Sequence, residues 1–299
     1  MGLVFFGNER LANSVNESGV ILSSLLDAGH EIHHLVINRA ERRSRKKHED
    51  AVVKIAHANG INVIDLWDED RVIELAKESE AGVLASFGHI LKDEVTGAFD
   101  KGIINVHPSL LPEFRGPTPI ESAILGNSSK TGVSIMALAS VMDGGDVYAR
   151  ADYNMRGDET KQELYDILSE RGAQLLVEQL PSILDGSNKG EPQNHDEATF
   201  TKLIIKSDGE IDWDLPAEVL ERQVRAFAGW PSSRALLAGH EITITKARVS
   251  ERDGKAGGYE VIDKEIVIGC GEGSLVIEEL KPAGRANMSA EAFLAGNKI

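Results

Sequence analysis

Little in this chain could cross-link it, anchor it in a membrane or hold polyanions without discrimination. Its 299 residues contain one cysteine, Cys270, so no intramolecular disulfide can form and a reducing cytoplasm is the expected compartment. No apolar run approaches the roughly 20 residues that a membrane helix needs. The opening Met1-Gly2-Leu3-Val4-Phe5-Phe6-Gly7 has no basic region or cleavage site and reads as a buried first strand rather than a signal peptide. Positive charge is scarce: 32 Lys and Arg stand against 48 Asp and Glu, a net of −16. That balance argues against broad nucleic-acid binding and confines any such contact to a local basic patch. Several motifs are missing too. The turn at Gly7 is no GxGxxG fingerprint, there is no Walker loop, and Ser109 has no GxSxG context. No cluster has metal-ligand spacing, since the adjacent His33 and His34 cannot both face one ion from a strand.

What is present is an ordinary globular composition, 41% hydrophobic and 27% charged. It is spread over a chain long enough for two domains. Apolar runs at 3–7, 31–37, 61–64, 82–87 and 102–106 alternate with helical patterns reaching 27 and covering 51–59 and 71–78. Strands alternating with helices predict a doubly wound, mostly parallel sheet. A helix is expected at 119–125, a strand at 131–136, and one long helix at 161–184, in which Gly172 is the point where a break could fall. Residues 185–208, rich in Gly, Asn, Pro and Gln, read as a linker or an excursion around the first domain. Beyond Ile211 a helix at 217–227 precedes short alternating strands at 241–249, 259–263, 265–268 and 274–280, which predict a small antiparallel barrel. The expected division is a first domain at 1–185, a linker at 186–208 and a second domain at 209–299.

One stretch stands out as a site. Asn105 and His107 lie two apart in a strand, so their side chains share a face. The strand gives way to a loop stiffened by Pro108, Pro112, Pro117 and Pro119. Ligands of open α/β sheets bind beyond the carboxyl ends of the strands. A carboxylate, Asp143, follows on a Gly-rich loop, although Asp-Gly is also a common turn pair. A carboxamide, an imidazole and a carboxylate suit direct group transfer with acid–base help and oxyanion stabilisation, and many reactions fit that description. The densest basic run, at 39–47, contains Arg42, Arg43, Arg45, Lys46 and Lys47. It is either a solvated face or a phosphate contact.

The ordered segments Phe87-Gly88-His89-Ile90-Leu91, Asn105-Val106-His107-Pro108-Ser109-Leu110-Leu111-Pro112, Arg115-Gly116, Thr131-Gly132-Val133-Ser134-Ile135-Met136 and Met142-Asp143-Gly144-Gly145-Asp146 resemble those of the 10-formyltetrahydrofolate-dependent formyltransferases. Ile211-Asp212-Trp213, Arg225-Ala226-Phe227, Trp230-Pro231, Lys281-Pro282-Ala283-Gly284-Arg285 and Met288-Ser289 resemble the carboxyl-terminal domain of the methionyl-tRNA formyltransferases within them. The resemblance implies a Rossmann-like catalytic domain and an OB-like tail that binds tRNA. It implies that 10-formyltetrahydrofolate is the formyl donor and initiator methionyl-tRNA the acceptor, with no metal. It makes His107 and Asn105 donors to the formyl oxygen, and Asp143 the group that orients His107 and helps take the amine proton. It places the folate against Ser109, Leu110, Leu111 and Pro112 and against Phe87, Gly88, Ile90 and Leu91. A monomer is expected. Two departures stand: Lys92 where the family often has Pro, and the basic run where its tRNA-contacting insertion is usually rich in Gly and Pro. From Ile211 onward 11 Lys and Arg face 14 Asp and Glu, 11 − 14 = −3. A tRNA-binding tail would therefore have to gather cations such as Arg222, Arg225, Lys246, Arg248 and Arg285 on one side. A formyltransferase acting on a sugar nucleotide or other small amine, and a non-catalytic RNA- or folate-binding homologue, are the rival readings.

Overall fold

The computed structural model describes residues 2–8, 17–38, 50–65, 69–297 and 299. Its amino-terminal part is built on seven strands: β1 (Leu3–Gly7), β2 (Ile32–Ile37), β3 (Asn62–Asp65), β4 (Gly82–Ala85), β5 (Ile103–His107), β6 (Lys130–Ala137) and β7 (Val147–Asn154). They pair in the order β3-β2-β1-β4-β5-β6-β7. The first five are parallel, and β6 and β7 complete the sheet antiparallel. Helices α1 (Glu17–Asp27), α2 (Ala51–Ala58), α3 (Glu69–Lys77) and α4 (Asp93–Thr96) make the connections. Every residue of β1 is buried, as expected of a parallel strand covered on both faces. One face packs Val4, Phe6, Val36 and Ile103 against Val72 and Ala76 of α3 and Val95 of α4. Phe6 meets Phe87 and Phe99 edge-on, with centroids 5.6 and 5.9 Å apart. From β1 the chain moves outward to β2 and β3 and then returns to β4. The carboxyl ends of β1 and β4 therefore form the switch point where open sheets of this kind leave a crevice. β7, whose residues alternate between half-buried and exposed, has no counterpart among the strands expected from the sequence.

Two further helices follow, α5 (Pro119–Leu125) and α6 (Lys161–Leu184). The long helix expected at 161–184 is α6, which runs unbroken for 24 residues through Gly172, where a break could have fallen. The glycine serves packing instead. A Cβ at position 172 would stand 2.9 Å from Val106 Cγ1 and 3.2 Å from Val133 Cγ1, so its absence lets the helix close directly onto β5 and β6.

Contacts divide the chain into two compact units. The first holds Met1–Pro119, Lys130–Asn154 and Leu164–Lys202; the second holds Ile120–Ser129, Met155–Glu163 and Leu203–Ile299. Most of the segment read as a linker or an excursion around the first domain thus belongs to the first unit. The second unit is organised by α7 (Ala217–Ala226), α8 (Ala290–Gly296) and β8 (Ser233–Leu237), β9 (His240–Ser250), β10 (Tyr259–Ile262), β11 (Glu265–Gly269), β12 (Ser274–Pro282) and β13 (Met288–Ser289). Its sheet is antiparallel, ordered β10-β11-β12-β9-β8 with β13 on β12. Leu220 and Val224 of α7 and Phe293 of α8 share one core with Leu237, Ile244, Ile268, Leu275 and Ile277. The lone Cys270 is buried in that core, and burial pushes its thiol pKa up. Lys161 and Glu121, both buried and 4.0 Å apart, tie the early segments to this unit. There the Lys161 ammonium donates to the Trp230 carbonyl at 2.8 Å and Arg225 donates to that of Glu159 at 2.9 Å.

Gly172→Val should lower the stability of the first unit by about 1–3 kcal/mol, the usual range for overpacking a filled core. A drop in the urea midpoint at constant slope would register it. An unchanged midpoint would show that α6 does not rest on Val106 and Val133.

Candidate functional site

The site is built at the carboxyl end of β5. Asn105 and His107 sit on the sheet face that carries Ile103, while Val106 points to the opposite face, toward α6. Both polar residues are buried, at 6% and 5% exposure. In the antiparallel register with β6, Asn105 lies opposite Met136 and His107 opposite Ser134. His107 Nε2 is 3.1 Å from the carbonyl oxygen of Phe114. A carbonyl can only accept, so this contact assigns the proton to Nε2. A second proton, on Nδ1, would make the ring an imidazolium facing the Asp143 carboxylate, whose Oδ2 lies 3.8 Å away.

Asp143 is placed by its backbone. It adopts φ 46°, a left-handed conformation that Asp tolerates better than most residues. Gly144 N–H closes the turn onto the Val141 carbonyl at 3.0 Å. The next glycine is sterically required: a Cβ at position 145 would lie 2.0 Å from the Ala137 carbonyl oxygen. The carboxylate itself accepts the Gly116 N–H at 2.7 Å. Gln193, from the segment expected to be a linker, donates its side-chain amide to the carbonyls of Asp143 (2.8 Å) and Gly145 (2.7 Å).

The loop after His107 is shaped by hydroxyls turned inward. Ser109, fully buried, donates its hydroxyl to the Glu113 carbonyl at 2.6 Å. Ser134 donates to the Ser109 carbonyl at 2.7 Å and accepts the Leu111 N–H at 3.1 Å, while Arg150 donates to the Leu111 carbonyl at 2.8 Å. Leu111 is buried and its bond to Pro112 is cis. Leu110 reaches the strand across Gly132, where a Cβ would meet it at 2.6 Å and the Ala151 carbonyl oxygen at 2.3 Å. At the switch point, Asn8 accepts the Asn38 N–H at 2.9 Å and donates to the Phe87 carbonyl, joining the ends of β1, β2 and β4. Phe87 is core, Gly88 turns the chain at φ 70°, Leu91 is half-buried and Ile90 is 81% exposed.

The remaining expected residues are placed otherwise. Arg42, Arg43, Arg45, Lys46 and Lys47 lie outside the described residues. In the second unit Arg222 pairs with Glu218, Arg225 with Glu221, Lys246 with Glu278, and Arg248 with Glu265. A separate cavity of about 890 Å³ there is lined by Lys206, Arg234 and Lys281 together with Glu210 and Glu241. Among the described residues no group of His, Cys, Asp or Glu is placed to hold a metal ion, and no helix is long and apolar enough to cross a membrane. Ser134, Gln193 and Thr199 escape a reading of the sequence. Each acts through hydrogen bonds to residues far away in sequence, which leave no periodic trace. Ser134→Ala should orphan the buried Leu111 N–H and cost about 1–3 kcal/mol, measured by chemical denaturation. A cost near zero would mean that the loop is held by other groups.

Known proteins resemble this chain in both sequence and fold. Residues 11–180 match the formyl transferase family, and residues 203–298 match the formyl transferase C-terminal domain. The chain is 38% identical over 285 residues to a methionyl-tRNA formyltransferase of Chloroflexus aurantiacus, covering 92% of each. It is 34% identical to that of Dechloromonas aromatica, over 100% of this chain and 97% of the other. Among solved structures, an N-formyltransferase from Helicobacter canadensis in complex with folinic acid and dTDP-3-aminofucose superposes with a TM-score of 0.71 at 18% identity, covering 93% of this chain and 98% of that one. HypX from Aquifex aeolicus in complex with tetrahydrofolic acid gives 0.69 at 19%, with 98% of this chain spanning 47% of that one. At such identities the structural likeness speaks for the fold alone. With both domains matched in sequence and the fold shared, the chain belongs to the formyl transferase family, among enzymes related to the methionyl-tRNA formyltransferases.

Proposed function

We propose that this protein transfers the formyl group of 10-formyltetrahydrofolate to the α-amino group of initiator methionyl-tRNA, and that it does so in the cytoplasm. The observation that carries the reading is the meeting of Asn105, His107 and Asp143 at the end of β5. It occurs in a chain whose relatives at 38% and 34% identity bear the name methionyl-tRNA formyltransferase. The amine nitrogen attacks the formyl carbon, the carbonyl oxygen becomes an oxyanion, and the carbon–N10 bond then breaks. Nε2 of His107 is committed to the Phe114 carbonyl, so Nδ1–H of the imidazolium is the donor to the oxyanion. The Asn105 amide is the second donor, and the Asp143 carboxylate balances the ring's charge. Donors fixed in advance inside a buried site stabilise charge where it develops. Asp143 receives the proton that the amine loses and gives it up to N10 as the carbon–N10 bond breaks, so the proton lost by the amine leaves on the folate and the carboxylate is restored. The cis-Pro loop at Ser109, Leu110, Leu111 and Pro112 and the switch-point segment at Phe87, Gly88, Ile90 and Leu91 hold the folate. The basic run at 39–47 meets the phosphates of the acceptor stem, and the cations lining the 890 Å³ cavity are a second place for phosphate.

Purified protein given the formyl donor and charged initiator tRNA should form formylmethionyl-tRNA, with sugar-nucleotide amines as control acceptors. Transfer to the sugar amine alone would replace this reading with its rival. His107→Ala and Asp143→Ala should each abolish turnover while leaving folate binding largely intact, as equilibrium titration would show; a near-normal rate in either removes that residue from the chemistry. Neutralising Arg42, Arg43, Arg45, Lys46 and Lys47 should raise the KM for tRNA. It should also flatten the dependence of binding on salt, because each phosphate contact adds close to one unit to the log–log slope. An unchanged slope returns the run to a solvated face.

A further inference from the structure

The segment expected to be a linker closes the site. Residues 193–201 touch both loops that carry the reacting groups, and they do so with main-chain and side-chain bonds together. The Arg115 N–H donates to the Thr199 carbonyl at 2.9 Å, and the Thr201 N–H to the Arg115 carbonyl at 2.7 Å. The Thr199 hydroxyl accepts the Phe114 N–H at 2.8 Å, fixing the residue whose carbonyl holds His107. Arg115, only 1% exposed, directs Nε and Nη2 at the Gln193 side-chain oxygen (3.1 and 2.6 Å) and Nη1 at His195 (3.1 Å). The other end of the same amide donates to the carbonyls of Asp143 and Gly145. A closed circuit results. Arg115 leads through Gln193 to the Asp143 backbone, and the Asp143 carboxylate returns to the N–H of Gly116.

We infer that Gln193 is a positioning residue for formyl transfer: its amide, polarised by the buried guanidinium, holds the Asp143 turn so that the carboxylate faces His107. The inference rests on the reading of the site given above. An amide suits this place because it must accept at one end and donate at the other. Hydrogen bonds polarise one another in such a chain, so the charge of Arg115 strengthens the grip on the two carbonyls. The side chains of Arg115 and Gln193 bond to one another, to His195 and to the carbonyls of Asp143 and Gly145, and not to the side chains of Asn105, His107 or Asp143. Their effect is exerted through the separation of Asp143 and His107.

The test separates positioning from support. Gln193→Glu keeps the shape and gives the guanidinium a carboxylate partner, yet an ionised carboxylate cannot donate to the carbonyls of Asp143 and Gly145. Its melting temperature should stay at or above that of the wild type. Its kcat should fall about 10²-fold, the scale of a misplacement near 1 Å, while the KM for the formyl donor stays put. Gln193→Ala should lose both kcat and stability. A readout free of turnover is the Gly116 amide, bonded to Asp143: its hydrogen exchange should quicken in both variants, as in Asp143→Ala. A Gln193→Glu protein with wild-type kcat and a protected Gly116 amide would overturn the inference, as would activity that merely tracks melting temperature across the series. If wild-type protein transfers no formyl group but Gly116 is deprotected in Gln193→Glu, the positioning stands and the reading of the reaction falls.

Discussion

The site depends on a carboxylate held by main chain. Asp143 accepts an N–H from Gly116 and stands 3.8 Å from His107, in a turn that two carbonyl contacts keep from relaxing. In the proposed reaction each 1.4 kcal/mol is a factor of ten in rate, so the placing of this carboxylate bears on turnover as well as its presence. The surrounding features serve the same end. Gly145 lets the turn press against Ala137, Gly172 lets α6 brace β5 from behind, and Ser134 ties the loop after His107 to the strand beside it.

Much of this can be read in the chain. Apolar runs of strand length alternating with helical patterns give the parallel sheet, and spacing by two puts Asn105 and His107 on one face. The order of the motifs gives the family. What stays hidden is instructive. β7 is an edge strand with only one good face, so its alternation is faint between Gly145 and a polar turn. Gly172 reads as a helix breaker because a glycine placed for close packing and one placed for a bend look alike in sequence. Residues 193–201 are polar, short of apolar side chains and free of any period, and all of that describes a linker or an excursion without saying what it bonds to. Their contribution lies in bonds to residues about eighty positions away, which local pattern cannot register.

Charge in the second unit shows how composition and geometry divide the question of partners. Its net negative balance leaves open whether the cations are gathered. The helix pairs at Arg222 and Arg225 and the cross-strand pairs at Lys246 and Arg248 are spent on neighbouring carboxylates. The Lys246 and Arg248 pairs are exposed and contribute little to stability, but all four pairs offset the charge that a polyanion would meet. Lys206, Arg234 and Lys281, gathered along one cavity, come from sequence positions that no charge run marks.

The clasp formed by residues 193–201 also bears on how the protein is made. The strands that carry Asn105, His107 and Ser134 pair with near neighbours in sequence, and the whole sheet lies within residues 3–154. A chain emerging from the ribosome can therefore pair the seven strands of this sheet before Gln193 and Thr199 have been synthesised. Until they arrive, the turn at Asp143 lacks its amide clamp and the loop at Phe114 lacks its hydroxyl. The nascent protein thus has a folded scaffold ahead of an ordered centre, and the last piece of that centre is supplied by the stretch that leads into the second unit.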